Sequence, residues 1–116
     1  MQEHVVRVRG RGTVEVPAYG MADAEHQVEA EVRAAWPDAA VEVLDVARPE
    51  GSDLIVEDFR VRYRVTGSVP VTAESPVAAA REAYRILRER FSCTRFPRIQ
   101  WEPADRPAER PGAGPV

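Results

Sequence analysis

The stretch FRVRYRVTGSVPVTAESPVAAAREAYRILRERF, residues 59–91, decides the fold because a second copy of it lies upstream. A shift of 55 positions, which matches Gly67 to Gly12, aligns it without a gap to residues 4–36. Nine positions are identical: Val6/Val61, Arg7/Arg62, Arg9/Arg64, Gly12/Gly67, Val14/Val69, Val16/Val71, Ala18/Ala73, Ala24/Ala79 and Arg33/Arg88. Each copy begins with alternating residues and continues at helical spacing. The sequence therefore predicts a duplicated strand–helix unit.

Length, charge and composition limit the classes of protein that fit the chain. Its 116 residues suffice for one domain with a limited core. The net charge of −3 and the pI near 5.4 argue against a nucleic-acid binder that acts through bulk positive charge. A single Cys93 cannot form an internal disulfide, and neither a signal-peptide pattern nor a membrane-spanning apolar run occurs. We therefore predict a cytoplasmic protein with no membrane partner.

The first part of each copy is predicted to be one long strand. Over His4–Pro17, the valines and glycines share even positions while the arginines share odd ones, which is typical of a strand with one buried face. The alternative is a hairpin that turns at Gly12, and at Gly67 in the second copy. Parity favours the continuous strand, bent or bulged at its glycines, because a two-residue hairpin would move the later valines onto the arginine face.

The remaining elements follow from helical spacing, capping residues and turns. Ser75 is placed to cap the second helix, and Pro76 suits its first position. The inner stripe of that helix is predicted to be Ala80, Ala83, Tyr84, Leu87 and Phe91. The other predicted ranges are Met21–Trp36 for the first helix, Ala39–Ala47 for the second strand, Leu54–Val71 with a bulge near Glu57-Asp58 for the third strand, and Phe96–Glu102 for the fourth.

The element order β-α-β-β-α-β predicts an α+β fold of the ferredoxin-like kind, a four-stranded antiparallel sheet with two helices on one face. The domain is expected to cover residues 1–102, and the proline-rich residues 103–116 are expected to be a disordered tail. A strand of about 13 residues spans roughly 43 Å, whereas a helix of about 15 residues spans only about 23 Å, because the rise per residue is much larger in a strand. They should therefore overhang the helices and expose backbone and valine. This predicts a homodimer, formed through the overhang or the open sheet face.

The strongest candidate site is a pair of arginine ladders. Arg7, Arg9 and Arg11 lie on the non-core side of the first strand, and Arg60, Arg62 and Arg64 lie on that of the third. In a ferredoxin-like sheet these strands are the central neighbours, so six guanidinium groups would share one face. Such a patch can bind phosphates. The alternative is a solvated or subunit-facing ladder that Glu15, Glu42, Asp58 or Glu102 neutralises.

The arginine face is similar in geometry to that of RNA-recognition domains, which read single strands on the same side of the sheet. Those domains stack bases on open-face aromatic side chains. Here Phe59 and Tyr63 have core parity, so the chain lacks that feature.

No catalytic, metal or cofactor pattern stands out. His26 has only Glu29 near it at helical spacing, and Cys93 lacks a histidine nearby in sequence to act as a base. We therefore expect a small non-enzymatic binding or assembly module that self-associates and needs neither metal nor cofactor. The alternative function is binding of single-stranded nucleic acid or another polyanion through the arginine face.

Overall fold

The computed structural model describes residues 1–49, 55–96 and 98–104. The strands form one sheet in the order β2-β3-β1-β4, and every neighbouring pair is antiparallel. Both helices contribute to one core on a single face of the sheet, and we call the opposite side the open face. The predicted α+β class with two helices and a four-stranded antiparallel sheet is confirmed. The elements are β1 (Gln2–Ala18), α1 (Met21–Ala35), β2 (Ala40–Ala47), β3 (Glu57–Ala73), α2 (Pro76–Phe91) and β4 (Gln100–Pro103).

The central strands β1 and β3 form a two-stranded ribbon. Each has 17 residues, and they pair along their whole length without a break. Even-numbered side chains of β1 and odd-numbered side chains of β3 face the helices, so the valines and Phe59 are buried there. The predictions of continuous strands and of central pairing are confirmed. The hairpin at Gly12 and Gly67 is wrong, because it would have turned these valines out of the core.

The two aligned glycines provide space for aromatic side chains rather than turns. A Cβ atom on Gly67 would lie 2.6 Å from Cζ2 of Trp36. A Cβ atom on Gly12 would lie 2.8 Å from the hydroxyl oxygen of Tyr63. Real side chains essentially never approach that closely, so each ring needs a strand position without a side chain. The glycines therefore mark close packing in continuous strands.

The duplication produces an approximate two-fold axis through the ribbon. Gly10 pairs with Val65, which is also its equivalent in the second copy, so the axis passes through this pair. Trp101 packs on Gly10 and contacts the equivalent residues Trp36 and Phe91, with ring centroids 6.0 Å and 5.6 Å away. This aromatic cluster fills the centre of the core, where the C-terminal ends of the two helices approach each other.

The helices cover different parts of the ribbon. Near its start, α1 is fixed by a hydrogen bond of 2.9 Å from Nε2 of Gln27 to the carbonyl oxygen of Pro17, and it ends over Gly67. At the other end of the ribbon, Ala79 and Tyr84 of α2 lie beside His4. Together the two helices therefore cover a strand that neither could cover alone. The core-face valines near both ribbon ends, such as Val16 and Val71, are buried, so the expected exposure of valine is found at Val5 on the open face.

Helix capping differs between the copies. The Oγ atom of Ser75 accepts a hydrogen bond of 3.1 Å from the backbone N–H of Ala78, as predicted, and Pro76 opens α2. The equivalent residue before α1 is Gly20, which offers no side-chain cap. Asp23 instead accepts a hydrogen bond of 3.0 Å from the backbone N–H of Tyr19. In the first helix, a side chain of its own first turn therefore binds the backbone that precedes the helix.

Several predicted details are wrong. Ala79, the equivalent of Ala24, replaces Ala80 in the fully buried stripe of α2. The pairing of β3 is regular through Glu57, where the strand begins, so no bulge is needed there. A bulge occurs instead in β2, where Leu44 is the extra residue between Val43 and Asp45. This bulge returns Val46 to the core face. Residue 54, the predicted start of β3, lies outside the described residues.

The predicted tail begins inside the last strand. β4 runs through Pro103, and the backbone N–H of Ala104 donates a hydrogen bond of 3.1 Å to the carbonyl oxygen of Arg7. The pairing of β4 with β1 thus continues past the predicted boundary at residue 102. Residues 105–116, the rest of the segment expected to be disordered, lie outside the described residues.

Candidate anion-binding site on the open face

The structure brings the predicted arginines together on the open face. Arg11 of β1 lies directly opposite Arg64 of β3 in the strand register, and Thr13 lies opposite Arg62. Diagonal neighbours in an antiparallel pair are about 7–8 Å apart, within reach of long side chains. Arg11 and Arg62 are such neighbours, so their guanidinium groups can reach a common ligand.

Three of the six ladder arginines are neutralised by acids that the sequence had suggested. Nε of Arg9 lies 2.9 Å from Oε2 of Glu102, and Nε of Arg64 lies 3.2 Å from Oε1 of Glu42. These two pairs are related by the approximate two-fold axis, since Arg9 and Arg64 are equivalent residues and each acid comes from the flanking edge strand. The third pair is longer, with Arg60 at 4.0 Å from Glu15.

Two of the remaining ladder arginines line a cleft that has no counterpart in the other half of the open face. Arg11 and Arg62 line it together with Arg98, and no described carboxylate forms an ion pair with any of the three. We call this cavity of about 370 Å³ the arginine cleft. Thr13 and Gln100 add a hydroxyl and an amide to its lining. Arg7 also has no carboxylate partner among the described residues but lies outside the cleft, so unpaired charge is concentrated on the half of the face that carries Arg62.

A core tyrosine also borders the arginine cleft. Tyr63 lines it, and its side chain is 99% buried, with its hydroxyl beside Gly12. Among the residues that the structure describes, this hydroxyl has no hydrogen-bond partner. Burial raises the pKa of Tyr63, so the phenol keeps its proton at ordinary pH. The hydroxyl lies on the helix side of the ribbon, at the position that a side chain on residue 12 would occupy.

Leu44 forms the aliphatic part of the lining. The bulge in β2 sets both Leu44 and Asp45 against Arg62, whereas a regular strand would set one residue there. Leu44 keeps 40% of its surface exposed and lines the arginine cleft. Asp45 is in register with Arg62 but forms no ion pair with it among the described residues. The cleft thus combines three cations with one apolar side chain.

Sequence reasoning missed three members of the site, namely Arg98, Tyr63 and Leu44. Arg98 precedes the short strand β4, and only the strand order brings it beside Thr13. The parity of Tyr63 predicts that its ring lies in the core, which is confirmed, but parity does not show that the residue also borders the cleft. Leu44 could have been suspected, because the valines of β2 change parity between Val43 and Val46.

The remaining candidate residues stay apart. His26 and Cys93 are exposed at separate places, and the described part of the chain contains no group of three potential metal ligands. Trp36 lies in the core, in edge-to-face contact with Trp101. Neither described helix is long and apolar enough to cross a membrane. No family model, curated protein or solved structure matches this chain.

Proposed function

We propose that this chain is a small, non-enzymatic binding module of ferredoxin-like topology that holds a phosphate-bearing anion in the arginine cleft. The order β2-β3-β1-β4 with antiparallel neighbours supports the topology, because each strand–helix–strand unit then has one strand of the other copy inserted between its own two strands. The observation that carries the function is the convergence of Arg11, Arg62 and Arg98 on one cleft without a described carboxylate partner.

The chemistry of the cleft suits a phosphate oxyanion. A guanidinium group donates two parallel hydrogen bonds to phosphate oxygens, and such charge-assisted bonds are about twice as strong as neutral ones. The hydroxyl of Thr13 and the amide of Gln100 can donate hydrogen bonds to the phosphate oxygens that the arginines leave free. The three arginines are exposed and have no carboxylate partner among the described residues, so an anion can bind them without breaking an ion pair.

A compact anion fits this face better than a long nucleic-acid strand. Arg9, Arg60 and Arg64 already have acidic partners, so the positive charge does not continue along the ribbon. Single-strand binding also depends on aromatic rings that stack with bases. Phe59 and Tyr63 lie on the helix side, and no aromatic side chain of β1 or β3 faces the open side.

Replacing Arg62 with alanine should weaken the binding of inorganic pyrophosphate by about tenfold, the equivalent of roughly 1.4 kcal/mol. The matched control is Arg60→Ala, which removes the same charge from the same face two residues away but already has Glu15 as its partner. We expect that control to change affinity less than twofold. Isothermal titration calorimetry at 50 and 200 mM salt measures both variants against the wild type.

Two results would contradict the anion proposal. One is a wild-type protein that does not bind pyrophosphate even at low salt, and the other is an equal loss in Arg60→Ala and Arg62→Ala. A labelled single-stranded RNA serves as the competing ligand. An extended strand is the ligand instead if the RNA binds much more tightly than pyrophosphate and its log K falls more steeply with log salt concentration than the slope of about −2 expected for three phosphate contacts.

We also propose self-association through one unprotected strand edge. The bond from Ala104 to the carbonyl of Arg7 shows that odd residues of β1 direct their backbone groups toward the β4 side. Glu3 and Val5 therefore present N–H and C=O groups where no described strand pairs. Other free edges of the sheet carry Pro17, Pro70 or Pro103, or the bulge of β2. Proline and bulges are the usual protection against edge pairing.

A second copy of the chain fits this edge. The hydrogen bond from Ala104 to Arg7 marks the end of the pairing with β4, so the edge segment without a described partner strand is Gln2–Val6, which we call the free window. Two such windows can pair antiparallel about His4, which sets Val5 of one copy opposite Glu3 of the other and matches their outward backbone groups. Val5 is 70% exposed and gains a neighbour in this arrangement. The homodimer expected from the overhanging strands thus acquires a specific edge.

Replacing Val5 with proline should abolish self-association. The outward N–H of residue 5 is lost, while the pairing of β1 with β3 does not use it. Thr72→Pro is the matched control, because it removes an outward N–H from the edge of β3 that Pro70 already protects. At tens of micromolar, analytical ultracentrifugation should find dimers for the wild type and the control and monomers for Val5→Pro. A monomeric wild type contradicts the proposal.

A further inference from the structure

The arginine cleft has an aliphatic wall that inorganic phosphate cannot use. Leu44 is the one aliphatic side chain in its lining, and it lies across the cleft from the Arg98 side, with Arg62 between them in the order of the sheet. A single exposed leucine on a surface is ordinary. Leu44 differs because a bulge, a feature enriched both at sheet edges and beside active sites, holds it against Arg62.

The bulge is not needed to bury the strand. Val41, Val43 and Val46 all pack against the core, and removing Leu44 from the sequence would give them strict alternation. The same core face could thus be built with one residue fewer. What the extra residue adds is a second side chain opposite Arg62, and that side chain is apolar.

The equivalent half of the open face lacks this combination. Arg7 is the equivalent of Arg62, but the residue equivalent to Arg11 is Thr66. In the strand register Glu42 corresponds to Glu102, so the residue in the place of Arg98 is Asp38. Asp38 is exposed and carries the opposite charge. The two copies have therefore diverged at the positions that build the cleft, while the ion pairs of Arg9 and Arg64 remain duplicated.

We propose that the arginine cleft takes an organic phosphate, in which the phosphate groups bind the arginines and an adjoining apolar or planar group packs on Leu44. This inference rests on the proposed anion-binding function and names the class of its ligand. The cavity of about 370 Å³ lies within the range of about 300–1,000 Å³ of small-molecule sites. A nucleoside diphosphate is a suitable probe, because it carries the same two phosphates as pyrophosphate together with an apolar, planar group.

The test compares the affinities of ADP and inorganic pyrophosphate for the same protein by calorimetry. We expect the wild type to bind ADP about tenfold more tightly, which corresponds to partial burial of one leucine side chain. Leu44→Ser should reduce this ratio to about one. Val77→Ser is the matched control, since Val77 is an exposed apolar residue on α2 outside the cleft, and the ratio should stay near ten.

Deletion of Leu44 is the second variant, and it should also bring the ratio to about one. Circular dichroism and a cooperative urea transition establish that either variant is folded. If ADP and pyrophosphate bind the wild type equally, or if ADP stays favoured in folded Leu44→Ser, the organic-phosphate inference is wrong while anion binding stands. If neither ligand binds the wild type, the anion proposal itself fails and this inference fails with it.

Discussion

Replacing Trp36 with alanine is expected to lower the free energy of unfolding by about 3–5 kcal/mol, the range for a buried tryptophan. Trp36 is 2% exposed and lies where α1 ends over the ribbon. Its ring packs on Gly67 and meets Trp101 edge to face at 6.0 Å. Removal leaves a cavity at the centre of the core, which the short helices and one sheet cannot readily close. Urea denaturation followed by circular dichroism measures the loss.

The contact between Trp36 and Gly67 can be isolated by a double-mutant cycle. In the wild type, Gly67→Ala should cost about 1–3 kcal/mol, because the new Cβ would meet a rigid, buried ring. In the Trp36→Ala background the same change should stabilise by about 0.5–1 kcal/mol, since alanine suits a strand interior better than glycine. Gly67 has no left-handed backbone conformation that would oppose alanine. The sign of the effect therefore depends on the ring.

Ser68→Ala provides the control for this cycle, because Ser68 neighbours Gly67 but faces the open side. Its effect should be the same in both backgrounds. If Gly67→Ala destabilises equally with and without Trp36, the glycine is needed for a reason other than space for the ring. That result would reopen the question of what Gly12 and Gly67 do in the strands.

The architecture could be predicted because the sequence contains two copies of the same strand–helix pattern. One copy of the alternation in His4–Pro17 leaves a hairpin possible at Gly12, whereas two copies with the same parity make a pair of long strands the consistent solution. The capping signal at Ser75 and Pro76 was equally local, and the structure bears it out. Features that depend on residues close together in the chain could therefore be predicted from the sequence.

Features that depend on packing between elements were not within reach. Helical spacing admits either Ala79 or Ala80 on the inner side of α2, and only the angle at which the helix meets β3 selects Ala79. The bulge at Leu44 arises because Val43 and Val46 both pack inward, a demand that strand alternation cannot meet. The extent of the overhang was also out of reach, because comparing one strand with one helix does not show that the two helices cover different parts of the ribbon.

The candidate site was predictable as a face but not as a cleft. The sequence placed six arginines on one side of the ribbon, and it proposed the acids that could neutralise them. It could not tell which arginines would be paired, because Glu42 and Glu102 arrive on edge strands whose register depends on the whole sheet. The unpaired set therefore emerged only with the structure, together with Arg98 and the phenol of Tyr63.

Replacing His4 with phenylalanine is expected to stabilise the protein by about 1–2 kcal/mol. His4 is the equivalent of Phe59, which is completely buried, and it occupies the same helix-facing side of the ribbon beside Val71. Its Nε2 atom is enclosed but has no hydrogen-bond partner among the described residues. An enclosed polar atom without a partner costs about 1–3 kcal/mol, whereas an apolar ring of similar shape avoids this penalty and buries further carbon.

His26→Phe is the matched control for that substitution. It makes the same chemical change on the exposed side of α1, where no enclosed nitrogen is relieved, so the free energy of unfolding should change by less than about 0.5 kcal/mol. Thermal and urea denaturation at low micromolar concentration keep any self-association through Gln2–Val6 out of the comparison. Equal effects of the two substitutions, or a loss of stability in His4→Phe, would show that the imidazole contributes a favourable interaction. The first copy of the repeat would then have kept histidine for a role that the second copy does not share.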